Sequence, residues 1–270
     1  MDEKKLNNFK AWLREEELSQ NTIDSYVFAV TDFFKKYQEI NKENLIQWKQ
    51  ALMDAGKSPK TVNLRLCAIE RWCQFAGIDI GKVKRIRFQK QTTVENAMDV
   101  ETYKRLIKCL EQDGNEKWIA YYKLLATTGA RISEALSLTK ADLEKGAALM
   151  PTKGKVRRIY IPARLKEECV NVWGELKDGD FLILNKQGNK MTSRGFASMM
   201  KKHASMYGLP LEKMHPHAFR HMFAVEFLKR NNNISLLADL MGHSGVNTTM
   251  IYTRRSEQEQ RQAFNDAINW

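Results

Sequence analysis

The sequence predicts a mainly α-helical protein in two parts. A four-helix bundle comes first, and a mostly helical domain with one small β-hairpin follows. Three observations lead there. Apolar residues recur at helical spacing in four segments of the first eighty residues. A basic stretch without periodicity, 82–96, then interrupts the pattern. Runs with strand character occur convincingly only once, on either side of "PTKGKV".

The elements follow in order. Leu6, Phe9, Trp12 and Leu13 share one helical face. Ile23, Tyr26, Val27, Val30, Phe33, Phe34 and Tyr37 keep the same spacing over four turns. Leu45, Ile46, Trp48, Ala51 and Leu52 predict a shorter third helix, closed by Gly56. In "SPKTVNLRLCAIERWCQFAG", Ser58 is the expected N-cap, Pro59 the first helical residue and Gly77 the stop. Residues 1–81 are therefore expected to form one bundle. The next stretch, "KVKRIRFQK", has five basic residues (Lys82, Lys84, Arg85, Arg87, Lys90) and no acidic one. It reads as the start of an inter-domain linker over 82–96, suited to lie along a phosphate backbone.

The second domain is expected over 97–270. Asp99 is its first N-cap. Tyr103, Leu106, Ile107 and Leu110 form one apolar face, and Trp118, Ile119, Tyr122 and Leu125 another, ending at Gly129. "AALM" and "RRIYIP" are the strands of the hairpin, with Lys153 at its turn. After residue 190 the spacing is helical again.

Composition bounds the function. The chain of 270 residues holds 44 Lys+Arg against 32 Asp+Glu, a net charge of +12. Such an excess favours a polyanionic partner, because each phosphate that a lysine or arginine neutralises releases counterions. No run approaches 18 apolar residues, and "MDEKKLNNFK" lacks a signal peptide's apolar core. Cys67, Cys73, Cys109 and Cys169 are scattered without a CxxC pair and read as reduced core thiols. The expectation is a cytoplasmic protein that does not engage a membrane.

The chemistry concentrates in three segments. In "HPHAFRHMFA", a helix places Phe219, Met222 and Phe223 on one side and His217, Arg220 and His221 on the other. His217 and His221 have the i,i+4 spacing of zinc ligands. Position 218, however, is alanine where HExxH needs glutamate, and Arg220 between the ligands would repel a dication, so no metal is expected. In "TTGARISEALSL", Arg131 follows Gly129 at a turn into a helix, where backbone N–H groups and a guanidinium both favour an anion. Glu134, one turn on, reads as a support for a neighbouring group. In "LADLMGHSGVNTTMIYTRR", His243 follows a helix-ending glycine and Tyr252 comes nine residues later.

Arg131, Lys153, His217 with Arg220 as HxxR, His243 and Tyr252 occur in that order, and this constellation resembles the tyrosine recombinases, the phage integrase family. "TGARISEALSL", "PTKGKVRRIYIP", "HPHAFRHMFA" and "LMGHSGVNTTMIYT" are similar to that family's catalytic boxes, over roughly residues 95–255. The helices before them resemble its core-binding domain. The resemblance implies strand cleavage by Tyr252, giving a 3′-phosphotyrosyl link and a free 5′-hydroxyl. It makes Arg131, Lys153, His217, Arg220 and His243 the other catalytic residues, with Lys153 preferred to Lys155 because KG at the turn fits the family pattern. No cofactor is implied. The partner it implies is double-stranded DNA, which two domains would hold in a C-shaped grip, with four protomers acting on two sites. With 270 residues, no arm-type DNA-binding domain is expected before Leu6, and the chain resembles the shorter members. "SEQEQRQAFNDAINW", with a capping-box pattern at Ser256 and Glu259, is expected to form a helix that packs on a neighbouring subunit.

The roles are physically reasonable. A phenol with a pKa of about 10 is only ~0.1% ionised at pH 7, so Tyr252 needs help. His217 is the candidate to accept or shuttle its proton. Arg131 and Arg220 stay charged and each donates two hydrogen bonds to the phosphate. By the same resemblance His243 would add a donor, and Lys153 would protonate the departing 5′-oxygen. Two rivals remain: a type IB topoisomerase, which would relax supercoils without exchanging strands between duplexes, and a non-catalytic DNA-binding regulator on the same scaffold.

Overall fold

A computed structural model of the chain describes residues 2–88, 97–152, 155–242, 249–252, 264–266 and 268, with the side chains of 152 and 155 excepted. The chain divides into two compact units, 1–90 and 91–270.

The first unit holds four helices, α1 (Glu3–Glu15), α2 (Gln20–Phe34), α3 (Lys42–Asp54) and α4 (Pro59–Ala76). Each starts at a side-chain cap: Asp2, Ser19, Asn41 and Ser58 accept from the N–H groups of Lys4, Thr22, Asn44 and Thr61. Gly77 ends α4 in the left-handed region, φ 68°. The predicted apolar faces meet in one core built on Phe9, Leu13, Val30, Phe33, Trp48 and Trp72. Its rings meet edge to face, Phe9 on Trp72 at 5.0 Å and Phe33 on Trp48 at 5.2 Å.

The basic stretch after α4 does not stand clear of this bundle. Val83 and Ile86 pack against its core. The Asn63 carboxamide donates to the Ile86 carbonyl and accepts from the Ile86 N–H, both at 2.9 Å. Lys49 Nζ donates to the Lys84 carbonyl at 2.7 Å. The apolar residues thus face the bundle and Lys82, Lys84 and Arg87 stay exposed. Arg85 is engaged by Glu70 at 2.5 Å. Lys90 lies outside the described residues.

The second unit runs α5 (Val100–Gln112), α6 (Glu116–Thr128), α7 (Ile132–Ala135), α8 (Lys140–Lys145), β1 (Ala147–Thr152), β2 (Lys155–Tyr160), α9 (Ala163–Glu168), α10 (Val170–Trp173), α11 (Ser193–Met206), α12 (Pro216–Arg230) and α13 (Ile234–Met241). A 3-10 turn, Met250–Tyr252, follows. Helix α6 is the centre. Trp118, Ala120, Tyr121, Tyr122, Leu124, Leu125 and Thr128 are all buried, so it is covered nearly all round. Helix α12 lies against it, with Phe219 stacked on Tyr122 at 5.3 Å. The Tyr122 hydroxyl shares a buried 2.8 Å hydrogen bond with His203 Nδ1 of α11.

The expected hairpin is present as an antiparallel pair, with Leu149 opposite Arg158 and Met150 opposite Arg157. Alternation sends Ala148 and Ile159 into the core and leaves Leu149, Val156 and Tyr160 outside. Lys153, expected at the hairpin turn, lies outside the described residues, as do His243, Ser256 and Glu259.

Candidate active site

Every helix ends with carbonyls that have no partner in the next turn, and its dipole makes that end partly negative. Helix α13 ends at Gly242, which takes φ 60°. Three successive carbonyls there each receive an arginine from a different element. Arg157 of β2 donates to Leu240 from Nε at 3.0 Å and from a terminal nitrogen at 2.5 Å. Arg220 of α12 donates to Met241 at 2.5 Å. Arg131, just before α7, donates to Gly242 at 3.2 Å. Arg220 reaches back as well, to the carbonyl of Gly129 at 2.7 Å. Gly129 closes α6 at φ 58°, so two left-handed glycines shape the turns whose carbonyls hold this side chain.

Glu134 ties the arrangement together. Its carboxylate accepts the Arg131 N–H at 2.7 Å, the Arg131 guanidinium at 2.8 Å and the Arg157 guanidinium at 2.5 Å. Burial works against ionisation. The Arg131 N–H and the charges of Arg157 and Arg131 outweigh it and hold the carboxyl below its usual range. Glu134, expected from the sequence to support a neighbouring group, touches Arg131 and also Arg157, an arginine not among the site residues expected from the sequence. Helix α7 is a single turn and Glu134 occupies the Arg131 N–H. Attraction for an anion at this point comes from the guanidinium, and the helix end adds little.

Arg220 is 4% exposed, whereas the helical wheel set it on a polar face. Burial, with Arg157 and Arg131 nearby, lowers its pKa to about 10, so it remains a cation at neutral pH. Around these groups the described residues hold three guanidiniums and one carboxylate, an excess of positive charge that an anion would relieve.

Tyr252 sits in the 3-10 turn and packs with Ala224, Leu237 and Met241 of α12 and α13. It is 8% exposed. Its hydroxyl is 2.8 Å from Nδ1 of His221. Burial raises the phenol's pKa, while the charges of Arg220 and Arg131 draw it down. His221 is lowered to about 4, by burial first and then by the neighbouring histidines and Arg220, so it is neutral at pH 7. With the ring proton on Nε2, the phenol donates to Nδ1. One partner of Tyr252 in this structure is therefore His221, while the proton acceptor expected from the sequence is His217.

His217 is exposed at the start of α12, where burial of its inner face and the charges of Arg220 and Arg131 lower its pKa. His215 serves the helix itself, its Nδ1 capping α12 by accepting the Ala218 N–H at 3.1 Å. Among the described residues no three His, Cys, Asp or Glu side chains are grouped to hold a metal ion. The structure thus brings Arg131, Glu134, Arg220, His217 and Tyr252 into one neighbourhood and adds Arg157 and His221.

With this geometry in view, the comparisons with known proteins are specific. Residues 96–259 match the phage integrase family, and residues 6–77 match the phage integrase N-terminal SAM-like domain. Tyrosine recombinase XerA of Pyrococcus furiosus is 27% identical over 97% of this chain and 93% of that protein. Tyrosine recombinase XerC of Shewanella oneidensis is 25% identical over 97% of this chain and 92% of that protein. Among solved structures, the Tn1549 transposon integrase in complex with transposon right end DNA gives a TM-score of 0.73 at 18% identity, covering 98% of this chain and 99% of that one. A lambda integrase dimer bound to a COC′ core site gives 0.74 at 13% identity, covering 94% and 96%. At such identities the structural likeness speaks for the fold.

Proposed function

The chain belongs to the phage integrase family and is a tyrosine-type site-specific recombinase; from that premise we propose that it cleaves duplex DNA with Tyr252, holds the broken end as a 3′-phosphotyrosyl link and rejoins it to another strand. The observation that carries this reading is that Tyr252 packs on α12 and on the end of α13, the same end whose Met241 and Gly242 carbonyls hold the guanidiniums of Arg220 and Arg131.

In the cleavage step the Tyr252 oxygen bonds to phosphorus and the bond from phosphorus to the 5′-oxygen breaks. Negative charge builds on a group that is already anionic, and Arg131 and Arg220 offset it. The phenolic proton goes to a base. His221 is a poor acceptor at neutral pH, because its environment holds it near 4. His217 is the better one. Burial and then the charges of Arg220 and Arg131 lower its pKa, and a phosphate that neutralises those two arginines would offset the second of these causes. Lys153 gives a proton to the 5′-oxygen and His243 donates to a non-bridging oxygen. Attack by a 5′-hydroxyl from another strand reverses these steps. The bond energy stays in the phosphotyrosine, so no ATP is needed.

Residues 1–81 would supply a core-type DNA-binding domain, 82–96 the connection and 97–270 the catalytic domain. Lys82, Lys84 and Arg87 are exposed for phosphate contacts, while Arg85 must first leave Glu70. Two DNA sites would be held by four protomers, with the C-terminal segment of each seated on a neighbour. Phe264 and Ile268, four residues apart, are exposed in the single chain, which supports that reading. No helix among the described residues is long and apolar enough to cross a membrane, and action on DNA is in keeping with a cytoplasmic protein. The test is incubation with nicked suicide substrates drawn from the DNA flanking the gene. A denaturant-stable protein–DNA adduct is expected. Its absence on every such substrate, with binding intact, would favour the regulator.

A further inference from the structure

We infer that Arg157 is a positioning residue of the cleavage reaction, holding the two phosphate-facing arginines in register through Glu134 and the carboxyl end of α13. The geometry is specific. Arg157 is 5% exposed and shares the inner face of β2 with Ile159. One terminal nitrogen reaches the same carboxylate that binds Arg131, at 2.5 Å. Its other donors take the Leu240 carbonyl, immediately before the two carbonyls that hold Arg220 and Arg131. It touches α13 from the side too: a Cβ on Gly242 would lie 2.3 Å from Arg157 Cδ and 3.0 Å from its Nε.

A planar guanidinium with a fork of donors suits this position, and an ammonium does not. Lysine would keep the charge but could not bond the Glu134 carboxylate and the Leu240 carbonyl in one plane. Without Arg157, Glu134 is free to close fully on Arg131 and draw it away from the phosphate, while the end of α13 loses its link to β2. The result is a displacement of Arg131 and Arg220 by a fraction of an ångström, which is enough to slow a reaction that depends on aligned donors. This role presupposes that Arg131, Arg220 and Tyr252 perform the cleavage.

The experiment compares full-length wild type with Arg157→Lys, Arg157→Met, Glu134→Gln and the double variant Arg157→Met with Glu134→Gln. Each is assayed well below its own melting temperature for DNA affinity and for the single-turnover rate of adduct formation at saturating protein. The expected result is DNA binding within about threefold of wild type and adduct formation slowed at least tenfold in both Arg157 variants. The double variant should be no slower than the worse single variant by more than about threefold, because the two residues act through one another. A purely structural arginine would lower the melting temperature and leave the rate of the folded protein unchanged. Adduct formation within twofold of wild type in folded Arg157→Lys overturns the inference, as does a double variant whose loss is the product of the singles. Should Arg157→Met not fold, Arg157→Lys alone decides. Failure of the wild type to form an adduct would instead overturn the assignment of Tyr252 and its arginines.

Discussion

Replacing Gly242 by alanine would load two separate penalties onto the point where the three arginines meet. The first is conformational. Gly242 takes φ 60°, and an L-residue held there costs about 1–2 kcal/mol. The second is steric. The new Cβ would fall 2.3 Å from Arg157 Cδ, and Arg157 cannot swing aside without leaving Glu134. Breaking a buried ion pair costs about 3–5 kcal/mol when it is complete, and partial displacement costs less. The expected loss is therefore about 2–5 kcal/mol. Gly188 is the control: its φ is 78°, and its Cβ would meet nothing within 4 Å. Gly188→Ala carries the conformational penalty alone. Urea titration with peptide-resolved hydrogen exchange over α6 and α12 reads the second unit by itself. Equal destabilisation by the two substitutions would refute the tight seating of Arg157 on α13.

Other expectations follow from the same geometry. Arg220→Lys replaces a fork that bonds two carbonyls with a point charge, and single-turnover cleavage should fall by about 10²–10³-fold while DNA affinity changes little; an unchanged rate would contradict the role of Arg220. His203, His215, His217 and His221 all have lowered pKa values. The unfolded chain therefore binds protons near 6.5 that the native chain refuses. Stability is fully present above about 6.5 and declines as pH falls toward about 4, the value of His221. Urea midpoints at about pH 7.5 and about pH 5 should show it, with a smaller drop in His203→Gln; identical midpoints would contradict the burial of neutral imidazoles. Exchanging Lys82, Lys84 and Arg87 together for alanine should lower the slope of log affinity against log salt by about 2–3. Exchanging Arg85 alone should change it less, because Glu70 already engages that side chain.

Much of the fold was legible because local signals agreed with one another. Ser58, Pro59 and Gly77 marked both ends of α4, and the spacing from Ile23 to Tyr37 needed only one partner face to bury it. The site was legible as an order of motifs, and less so as contacts. Arg220 read as a surface group because a helical wheel knows nothing of the carbonyls of Gly129 and Met241, 91 and 21 residues away. His221 stood on the correct face, but its tyrosine partner lies 31 residues on, beyond any local rule. Arg157 carries a usable signal in its strand. Ile159 is the inward residue of "RRIY", and strand alternation puts residue 157 on the same side. A charged residue forced inward by an apolar neighbour must find a partner, and Glu134 is that partner.

The most direct measurement is the fate of the Tyr252 hydroxyl on cleavable DNA. Wild type and Tyr252→Phe should bind a nicked suicide duplex with similar affinity, because the hydroxyl is turned toward His221 within the protein. Wild type alone should then give a denaturant-stable adduct, and peptide mapping should locate the nucleotide on Tyr252. A stable adduct formed by Tyr252→Phe, or a nucleotide mapped to any other side chain, would contradict the account.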